Sequence, residues 1–419
     1  MKILQVTQGY TPAIGGTEWL VQRVSEELVR QFGDEVTVFT TNCYNGEAFY
    51  TPRLPRMPIG WEEINGVRVR RFPVLSRPSQ WLRWPQMVAN RLKLPGNQYL
   101  RAWSAGPLIP GLRRAIEAQP ADIVAAASFP LLHMFVALDA AHRSGRPAVL
   151  NGCLHPDDPW GFDRPMIYSA IQAADDYIAL TQFEAEYVVA RGAARDRVAT
   201  IGTGVDYERF DAASPLAARR RLGLGEAPVV GFVGQMGPHK GLDTLLRAMP
   251  LVWQTRPETQ LVIAGARTLF SEFVERSVRA WPEGYRRQLR LVYNFAESEK
   301  YDLFRALDVL AYPSGYESFG ISFLEAWACG IPVIGCRRGA IPWVIDAGRD
   351  GLLVEFRHER LLANAIVLLL ANPGWARLLG AAGRRKVERS YNWPEIARRF
   401  RAVYSRAVER GERRKQADG

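Results

Sequence analysis

The feature that most constrains this chain is an alternation of short apolar runs with helix-like segments, which occurs twice along the sequence. Near the start, the run "KILQV" precedes the amphipathic segment "GGTEWLVQRVSEELVRQF", and the run "EVTVFT" follows it. The predicted buried stripe of that helix is Leu20, Val24, Leu28 and Phe32. Apolar runs separated by helices in this way are typical of parallel sheets covered by helices. The first half is therefore predicted to be an α/β domain.

The same rhythm restarts after a stretch rich in alanine and arginine at about residues 206–226. The later runs "PVVGFVG", "QLVIAG", "RLVYN", "DVLAYPS", "IPVIGC" and "GLLVE" are predicted to be strands of a second sheet. The predicted fold is α/β, with two Rossmann-like doubly wound domains facing across a cleft and ligands at the carboxyl ends of the strands. A length of 419 residues fits two such domains.

Composition excludes several classes of protein. Hydrophobic residues make up 47% of the chain and charged residues 23%, which is typical of a globular protein rather than a disordered one. No run of 18 apolar residues occurs, and "MKILQVTQGY" lacks a basic leader and a cleavage site, so we expect neither a spanning helix nor a signal peptide. The four cysteines lack metal-ligand spacing, and we expect free thiols in a reducing cytoplasm.

The stretch "YPSGYESFGISFLEAWACGIPVIG" sets two glutamates around a predicted helix start. Backbone N–H groups near Phe319, Gly320 and Ile321 lie at the positive end of that helix, where phosphate oxygens bind well. Glu325, one turn into the helix, could accept hydrogen bonds from a ribose, and Glu317 on the preceding loop would face whatever is joined to the phosphate. The spacing therefore fits a nucleotide-sugar.

A second interpretation is that both glutamates are solvated or cap the helix, because helix N-termini favour acidic residues in general. Against it stands the apolar neighbourhood of Glu325, which lies among Phe323, Leu324 and Trp327. A carboxylate in such company is often partly buried, and a buried carboxylate needs a partner.

The residues "ESFGISFLEAWACGIPVIG" resemble the E-x7-E signature of retaining GT-B glycosyltransferases of family four, a family with many bacterial polysaccharide and glycolipid mannosyl- and glucosyltransferases. The resemblance extends over nearly the whole chain. "GGTEWLVQRVSEELV" is similar to the family's glycine-rich first loop and helix, and "IGTGVDYERF" to the segment that closes the first domain. "FVGQMGPHKGLDTLLRAM" and "LVIAGA" resemble the beginning of the second domain.

The resemblance implies a GT-B architecture. Residues 1–205 would form an acceptor-binding domain that carries a basic and aromatic insertion at about 43–115. Residues 206–395 would bind the nucleotide-sugar. The final helix and its basic tail, residues 396–419, would cross back to the first domain.

The resemblance also implies site residues. Lys240 would offset the charge that builds on the leaving nucleoside diphosphate, and His155 would contact the transferred sugar; with Glu317 these are the catalytic candidates. The loop with Gly15 and Gly16 would cover the donor diphosphate and border the acceptor site. Structural roles remain open as alternatives, such as an ordinary turn at the glycines or a loop histidine bonded to backbone. The implied donor-binding set is Gly16, Gly234, Gln235, Lys240, Gly265, Phe295, Glu317, Ser318, Phe319, Gly320, Ile321 and Glu325.

One position departs from the family pattern. The family usually has an arginine directly after the glycine that ends this strand, and this chain has Gln235. Either His239 or an arginine elsewhere in the chain replaces the missing cation, or the diphosphate is held more weakly and activity is reduced or altered.

No metal is expected. Asp157 and Asp158 are adjacent, so their carboxylates point in different directions, and the spaced D-x-D of metal-dependent transferases is absent. Lys240 and helix dipoles would supply the electrostatic stabilisation instead. Retaining transfer in the family is usually written as front-face attack in which the leaving phosphate takes the acceptor's proton, so positioning groups rather than a catalytic dyad are expected.

A basic stretch marks the first half of the chain. From Ile64 to Ile116 there are ten basic residues and no Asp or Glu, in a chain of net charge +11. Tryptophans among arginines are typical of an interfacial membrane-binding segment, and "SQWLRWPQMVANRLKL" is amphipathic, although Pro85 is predicted to break or start a helix there. The alternative is a solvated basic face that packs its tryptophans into the core. The residues assigned to acceptor and membrane contact are Arg70, Arg71, Trp81, Arg83, Trp84, Arg91 and Lys93.

Together these features predict a retaining, metal-independent hexosyltransferase of the cytoplasm, with peripheral contact to the anionic inner face of the cell membrane. Its donor would be a nucleoside-diphosphate sugar, with no further cofactor. Its acceptor would be a glycan or lipid-linked hydroxyl, in cell-surface polysaccharide or glycolipid synthesis. No nucleic-acid partner is expected, because no recognised binding motif accompanies the charge. The rival hypotheses are a nucleotide-sugar epimerase of the same fold and a non-catalytic nucleotide-sugar-binding partner subunit.

Overall fold

A computed structural model describes residues 1–13, 15–211 and 214–418. The chain divides into two compact units. The first unit consists of Met1–Thr203 and Trp393–Gly419, and the second of Gly204–Asn392.

The first unit is built on an eight-stranded sheet in the order β3-β4-β2-β1-β5-β6-β7-β8, in which only β3 runs antiparallel to its neighbour. The strands are β1 Lys2–Val6, β2 Glu35–Thr41, β3 Gly60–Ile64, β4 Val67–Phe72, β5 Ile123–Ala127, β6 Ala148–Asn151, β7 Asp176–Ala179 and β8 Val198–Thr200. The helices before the second unit are α1 Gly16–Phe32, α2 Ser76–Arg91, α3 Asn97–Ala105, α4 Leu112–Ala118, α5 Leu132–Arg143, α6 Pro159–Phe162, α7 Pro165–Ala173 and α8 Gln182–Val189.

The first helix follows its predicted stripe closely. Leu20, Val24 and Leu28 are buried, whereas Phe32 at the last turn is half-buried. The helix stops at Gly33, whose φ of 63° lets its N–H reach back to the carbonyls of the last turn, as at many helix ends.

The basic stretch contains a β-hairpin that the apolar-run pattern did not reveal. β3 and β4 pair in antiparallel fashion around Asn65 and Gly66, both at positive φ, and an Asn-Gly pair is the strongest short-range hairpin signal. Arg70 and Arg71 lie on β4, inside the sheet. Arg71 is only 5% exposed and is hydrogen-bonded to Glu62 and to the carbonyls of residues 10 and 11. The Arg71 side chain is therefore held inside the protein by these hydrogen bonds. It is not exposed, as contact with an acceptor or a membrane would require.

The amphipathic segment after the hairpin is helical through its proline. α2 runs from Ser76 to Arg91 with Pro85 inside it, so the predicted break at Pro85 is wrong. Pro85 is exposed, on the side of the helix away from the protein.

The second unit has a six-stranded parallel sheet in the order β11-β10-β9-β12-β13-β14. Numbered from its own first strand, the order is 3-2-1-4-5-6, the doubly wound arrangement of dinucleotide-binding domains, so the predicted Rossmann-like fold is confirmed. The strands are β9 Val229–Val233, β10 Gln260–Gly265, β11 Leu289–Tyr293, β12 Val309–Ala311, β13 Val333–Cys336 and β14 Gly351–Val354. The helices are α9 Tyr207–Asp211, α10 Pro215–Arg221, α11 Leu242–Thr255, α12 Leu269–Arg279, α13 Glu283–Arg287, α14 Glu297–Arg305, α15 Ile321–Ala328, α16 Ile341–Val344, α17 Glu359–Ala371 and α18 Pro373–Ser390.

The last helix, α19 (Trp393–Asp418), belongs to the first unit, although the residues before it belong to the second. Arg401 bonds the buried carboxylate of Asp34 at 2.8 Å, and Arg406 and Arg410 both bond Asp176, each at 2.5 Å. Since Asp34 and Asp176 side chains are fully buried, these ion pairs fix the helix on the first sheet.

No single helix in residues 1–13, 15–211 and 214–418 is long and apolar enough to span a membrane. The consecutive helices α17 and α18 pass by length and composition only when taken together, and they are bent by 101° at their junction.

Candidate functional site

The second unit gathers the predicted donor residues at the carboxyl edge of its sheet, because all six strands are parallel. The loop after β9 and the loop after β12 are tied together there. The N–H of Gly315 donates to the carbonyl of His239 at 2.8 Å, and the Ser314 hydroxyl donates to the same oxygen. Gly241 lies so close to Pro313 that an added Cβ would be 1.9 Å from the proline carbonyl oxygen. This close approach, at a φ of +70°, explains the glycine after Lys240.

Lys240 and Glu317 form an ion pair at this edge. The ammonium group lies 2.7 Å from Oε1 of Glu317, and the two side chains are only 13% and 9% exposed. Glu317 is therefore not a solvated loop residue. Each partner keeps further hydrogen-bonding capacity, because an ammonium has three donors and a carboxylate about four acceptor sites.

Glu325 forms the second buried pair. Its carboxylate lies 2.8 Å from Nζ of Lys300, with side-chain exposures of 10% and 17%. Lys300 also contacts Glu297 on its own helix α14. Burial disfavours the ammonium form, but the two glutamates outweigh it and the pKa of Lys300 is raised. The pair satisfies the requirement that a buried carboxylate have a partner, and Glu325 does not act as a cap of α15.

α15 begins where the spacing predicted. Gly320 is its N-cap at φ 97°, with no side-chain cap, so the N–H groups of the first turn have no side chain of the N-cap residue bonded to them. Phe319 is buried and packs edge-on against Tyr391, which means that only its backbone is available to a ligand. Ser318 and Ile321 are half-buried at the same turn.

Among the remaining donor candidates at this edge, the two glycines are also required for close packing of the backbone. Gly265 must be a glycine because a Cβ there would lie 2.1 Å from the carbonyl oxygen of Gly234. Gly234 in turn faces Tyr312, and a Cβ on Gly234 would lie 2.7 Å from the tyrosine hydroxyl oxygen. Phe295 is half-buried on the loop after β11. The structure thus brings these three residues to the edge where Lys240 lies.

Gln235 is exposed, and an arginine from another strand end lies near the same loops. Arg338, just beyond β13, stacks over Tyr316 with its guanidinium carbon 5.0 Å from the ring centroid. His239 approaches the same ring at 6.4 Å between centroids. His239 and Arg338 are therefore both candidates for the cation that the family pattern places at position 235.

In the first unit, His155 lies on the loop that leaves β6, half-buried and 5.3 Å from the ring of Phe162. The loop is held by Glu184, which is fully buried. Glu184 accepts hydrogen bonds from the N–H groups of Leu154 and Leu180 and from the hydroxyl of Tyr177. Burial raises the pKa of Glu184 to about 7, although these three donors favour the ionised form. Sequence reasoning missed this residue, since nothing in "TQFEAEYVV" distinguishes one helix glutamate from the other.

The glycine-rich loop leads into α1 at Gly16. Glu18 folds back over it, receives a hydrogen bond from Gln8 at 3.0 Å, and would collide with a Cβ on Gly15. Burial raises the pKa of the Glu18 carboxyl. The Cys153 thiol on the His155 loop donates to Oδ1 of Asn151 at 3.2 Å, and Thr17 is close enough to lower its pKa, so the two loops that the family resemblance selected lie side by side.

The basic stretch presents its apolar side chains outward. α2 packs on the protein through small residues, Ser76, Ser79 and Ala89, while Trp81 and Trp84 are 71% and 74% exposed. The tryptophans are therefore not in the core. We define the α2–α3 patch as the exposed side chains Arg77, Trp81, Arg83, Trp84, Met87, Arg91, Leu92, Lys93, Leu94, Tyr99 and Trp103.

Among the residues the structure describes, no group of three or more His, Cys, Asp or Glu side chains is placed to hold a metal ion. Asp158 instead caps α6 by accepting a hydrogen bond from the N–H of Gly161 at 3.0 Å.

Family models match both halves of the chain. A model described as a glycosyl transferase 4-like domain matches residues 15–204, and one described as glycosyl transferases group 1 matches residues 217–386.

Curated relatives cover part of the chain. D-inositol 3-phosphate glycosyltransferase 2 of Catenulispora acidiphila is 35% identical over 251 residues, which is 57% of this chain and 58% of that protein. A GDP-mannose-dependent monoacylated alpha-(1-6)-phosphatidylinositol monomannoside mannosyltransferase of Corynebacterium glutamicum is 32% identical over 209 residues, 47% of this chain and 53% of that protein. The chain thus spans 58% or less of the length of these two relatives.

Solved structures match almost the entire chain. HepE of Anabaena, solved with UDP and glucose, superposes with a TM-score of 0.72 at 17% identity, covering 97% of this chain and 99% of that one. Sucrose-phosphate synthase of Thermosynechococcus elongatus gives a TM-score of 0.72 at 21% identity, with the same coverage. At these identities the likeness shows the fold, which is GT-B. The fold and the two family models, which together cover most of the sequence, lead to one conclusion: the chain belongs to the group 1 family of glycosyltransferases.

Proposed function

We propose that this protein is a retaining, metal-independent glycosyltransferase that moves a hexose from a nucleoside-diphosphate sugar to a hydroxyl of a phosphorylated or lipid-linked acceptor. The observation that carries the proposal is the pairing of both signature glutamates with buried lysines at the carboxyl edge of the second sheet. Two relatives named for inositol 3-phosphate and for a phosphatidylinositol mannoside support the acceptor class.

In this proposal the donor diphosphate lies between Lys240 and the first turn of α15. Lys240 stabilises the charge that develops on the leaving diphosphate, and the α15 N–H groups add hydrogen bonds. Glu325 accepts from the ribose hydroxyls with the acceptor capacity that Lys300 leaves free. Glu317, which Lys240 holds in place, accepts from hydroxyls of the sugar. His155 is the catalytic candidate on the first unit. No general base is required, because the leaving phosphate takes the acceptor's proton.

The experiment is a donor panel with purified protein. Thermal shifts with UDP, GDP and ADP identify the base, and the matching sugar nucleotides are then assayed for transfer and for hydrolysis. The anomeric configuration of the product, read by proton NMR, tests retention. A product of inverted configuration, or loss of transfer that only added divalent metal restores, would contradict the proposal. Donor binding without turnover would favour the non-catalytic subunit, and an isomerised sugar nucleotide would favour the epimerase.

The α2–α3 patch supports peripheral contact with an anionic membrane. Its large apolar side chains are exposed beside four basic residues, and each basic residue near an anionic surface contributes about 1 kcal/mol. A Trp81→Ser, Trp84→Ser double variant should lose most of its recovery in flotation with anionic liposomes. Trp343→Ser is the matched control, since Trp343 is 49% exposed on the second unit. Equal recovery with neutral and anionic vesicles, or none with either, would sink this part of the proposal.

A further inference from the structure

A pocket lies within the first unit, between α3 and the segment that precedes α7. Its volume is about 280 Å³, and it is open to solvent on one side. Arg101 of α3 and Arg164, the N-cap residue of α7, both line it. Neither arginine belongs to the residues that the signature motif selects.

The two guanidinium groups are unusual because two nitrogens of each lack a hydrogen-bond partner, although Nη2 of Arg164 donates to the carbonyl of Trp160 at 3.4 Å. Arg164 is 5% exposed, and its Nε and Nη1 are buried without a hydrogen-bond partner in the described part of the chain. The same is true of Nε and Nη2 of Arg101. A buried donor without a partner is unfavourable, and more so when it is charged. Four guanidinium nitrogens beside one pocket thus have no protein partner, and an anion bound there would supply one.

The nearby acids offset the two charges only in part. Asp158 is close enough to favour both guanidinium charges, yet its carboxylate accepts from the N–H of Gly161 as a helix cap. Asp163 receives the hydroxyl of Tyr168 at 2.6 Å and lies 3.7 Å from Arg191. Burial, and then the charge of Arg101, lower the pKa of Arg164 to about 10. The pocket thus holds two cations that repel each other.

The walls of the pocket are already fixed without a ligand. The N–H of Met166 donates to Oε1 of Gln98 at 3.0 Å, which ties the start of α7 to α3. Arg101 stacks on Trp160, with its guanidinium carbon 3.8 Å from the ring centroid. Stacking on one face leaves the edge of the guanidinium, where the N–H groups lie, directed away from the ring. Two arginines held in fixed positions beside one pocket suit the recognition of a tetrahedral anion.

We propose that Arg101 and Arg164 bind the phosphate of the acceptor, and that this pocket selects phosphorylated acceptors over neutral ones. The inference rests on the proposed function and adds the group by which the acceptor is recognised. Two sources share this chemistry: a soluble phosphomonoester and the phosphodiester headgroup of a lipid. Leu94, an exposed member of the α2–α3 patch, also lines the pocket, so a headgroup held there would lie beside the surface proposed to meet the membrane.

The test is isothermal titration of the full chain with four probes: myo-inositol, myo-inositol 3-phosphate, glycerophosphoinositol and inorganic phosphate. The wild type should bind a phosphorylated inositol at least tenfold more tightly than myo-inositol, since one charge-assisted hydrogen bond alone gives a factor of that order. Preference for the monoester would identify a soluble acceptor, and preference for the diester a lipid headgroup. Equal binding of inositol with and without phosphate, binding of inorganic phosphate alone, or no binding of any probe would overturn the proposal.

Variants separate this site from a structural role. An Arg101→Gln, Arg164→Gln double variant should lose the preference for phosphate, whereas Arg113→Gln, which removes one exposed arginine from α4, should keep it. Without ligand, Arg164→Gln should raise Tm or leave it unchanged, because it removes an unpaired buried charge. A fall in Tm with the phosphate preference intact would show that the arginines are structural. Donor hydrolysis, measured on the same samples, tests the proposed function separately: its absence with phosphate binding intact would count against that function alone.

Discussion

The carboxyl edge of the second sheet and the arginine pocket of the first unit hold their cations in opposite ways. At the sheet edge, Lys240 and Lys300 are each paired with a buried glutamate at 2.7 and 2.8 Å. In the pocket, Arg101 and Arg164 have buried donors without partners. Each lysine charge is already balanced by its glutamate in the absence of a ligand. When a ligand binds, its hydrogen bonds replace some of those between lysine and glutamate. The unpaired arginines carry a cost that only an anion removes.

The difference predicts which unit depends more on its ligand for stability. Replacing one member of a buried ion pair leaves the other charge uncompensated and destabilises, whereas replacing an unpaired buried charge relieves a cost. We therefore expect donor-edge variants to lower both stability and activity, and pocket variants to lower only acceptor recognition.

The largest effect is expected for Lys240→Ala. The change removes the cation assigned to the leaving diphosphate and strands Glu317, so kcat/KM for transfer should fall on the order of 10²–10³-fold. Steady-state transfer with the preferred donor measures it. Arg247→Ala is the control, because Arg247 is an exposed ion-pair residue on the helix that follows the Lys240 loop. A kcat/KM of Lys240→Ala within threefold of wild type would contradict the assignment of Lys240 to the donor diphosphate.

Glu325→Gln should have the next largest effect. The amide keeps the shape but loses the charge that holds Lys300 and accepts from the ribose, so donor Kd should rise about 10- to 100-fold. Calorimetric titration of the nucleoside diphosphate measures this change. Glu359→Gln, which alters an exposed contact with Arg247 at 3.8 Å, should leave Kd unchanged. Equal Kd values for wild type and Glu325→Gln would refute the ribose role.

The sequence predicted much of the fold because its strands are buried on both faces. The apolar runs "KILQV" and "QLVIAG" fall on β1 and β10 residue for residue, and the other predicted strands differ from the structure only at their ends. The β3–β4 hairpin was missed because its strands carry charged side chains on the exposed face, and only the Asn65–Gly66 turn marked it. The predicted helix break at Pro85 in the same region was wrong. A helix can contain a proline on its exposed face, because the carbonyl that loses its N–H partner there is accessible to water.

For the site, the sequence located the glutamates but not what neutralises them. Glu317 and Glu325 were predicted from motif spacing, whereas the contact between Lys300 and Glu325 depends on how α14 packs beside α15. Arg101 and Arg164 are 63 residues apart in number, and nothing local in "NQYLRAW" or "GFDRPM" indicates a shared pocket. Residues that only tertiary packing brings together leave no periodic pattern in the sequence.

A smaller effect is expected at the position of the missing arginine. If Arg338 supplies the second cation of the donor edge, Arg338→Ala should raise donor Kd roughly tenfold. Gln235→Arg should restore binding in the Arg338→Ala background. Titration of the four combinations of these two positions gives the coupling energy. Additive effects would show that Arg338 does not replace the family's arginine.

The smallest expected effect is on the pH dependence of stability. It again separates the two units, because the His155 loop in the first unit is held by the buried carboxyl of Glu184 and not by an ion pair. Since the pKa of Glu184 is raised from 4.5 to about 7, the folded protein binds a proton more tightly than the unfolded chain. This group's contribution to stability is therefore complete below pH 4.5 and lost as pH rises through 7. The Tm difference between wild type and Glu184→Gln should shrink by a few degrees from pH 5 to pH 8. Glu186→Gln, on the same helix, should show no such trend, and a constant difference for Glu184→Gln would place its titration outside this range.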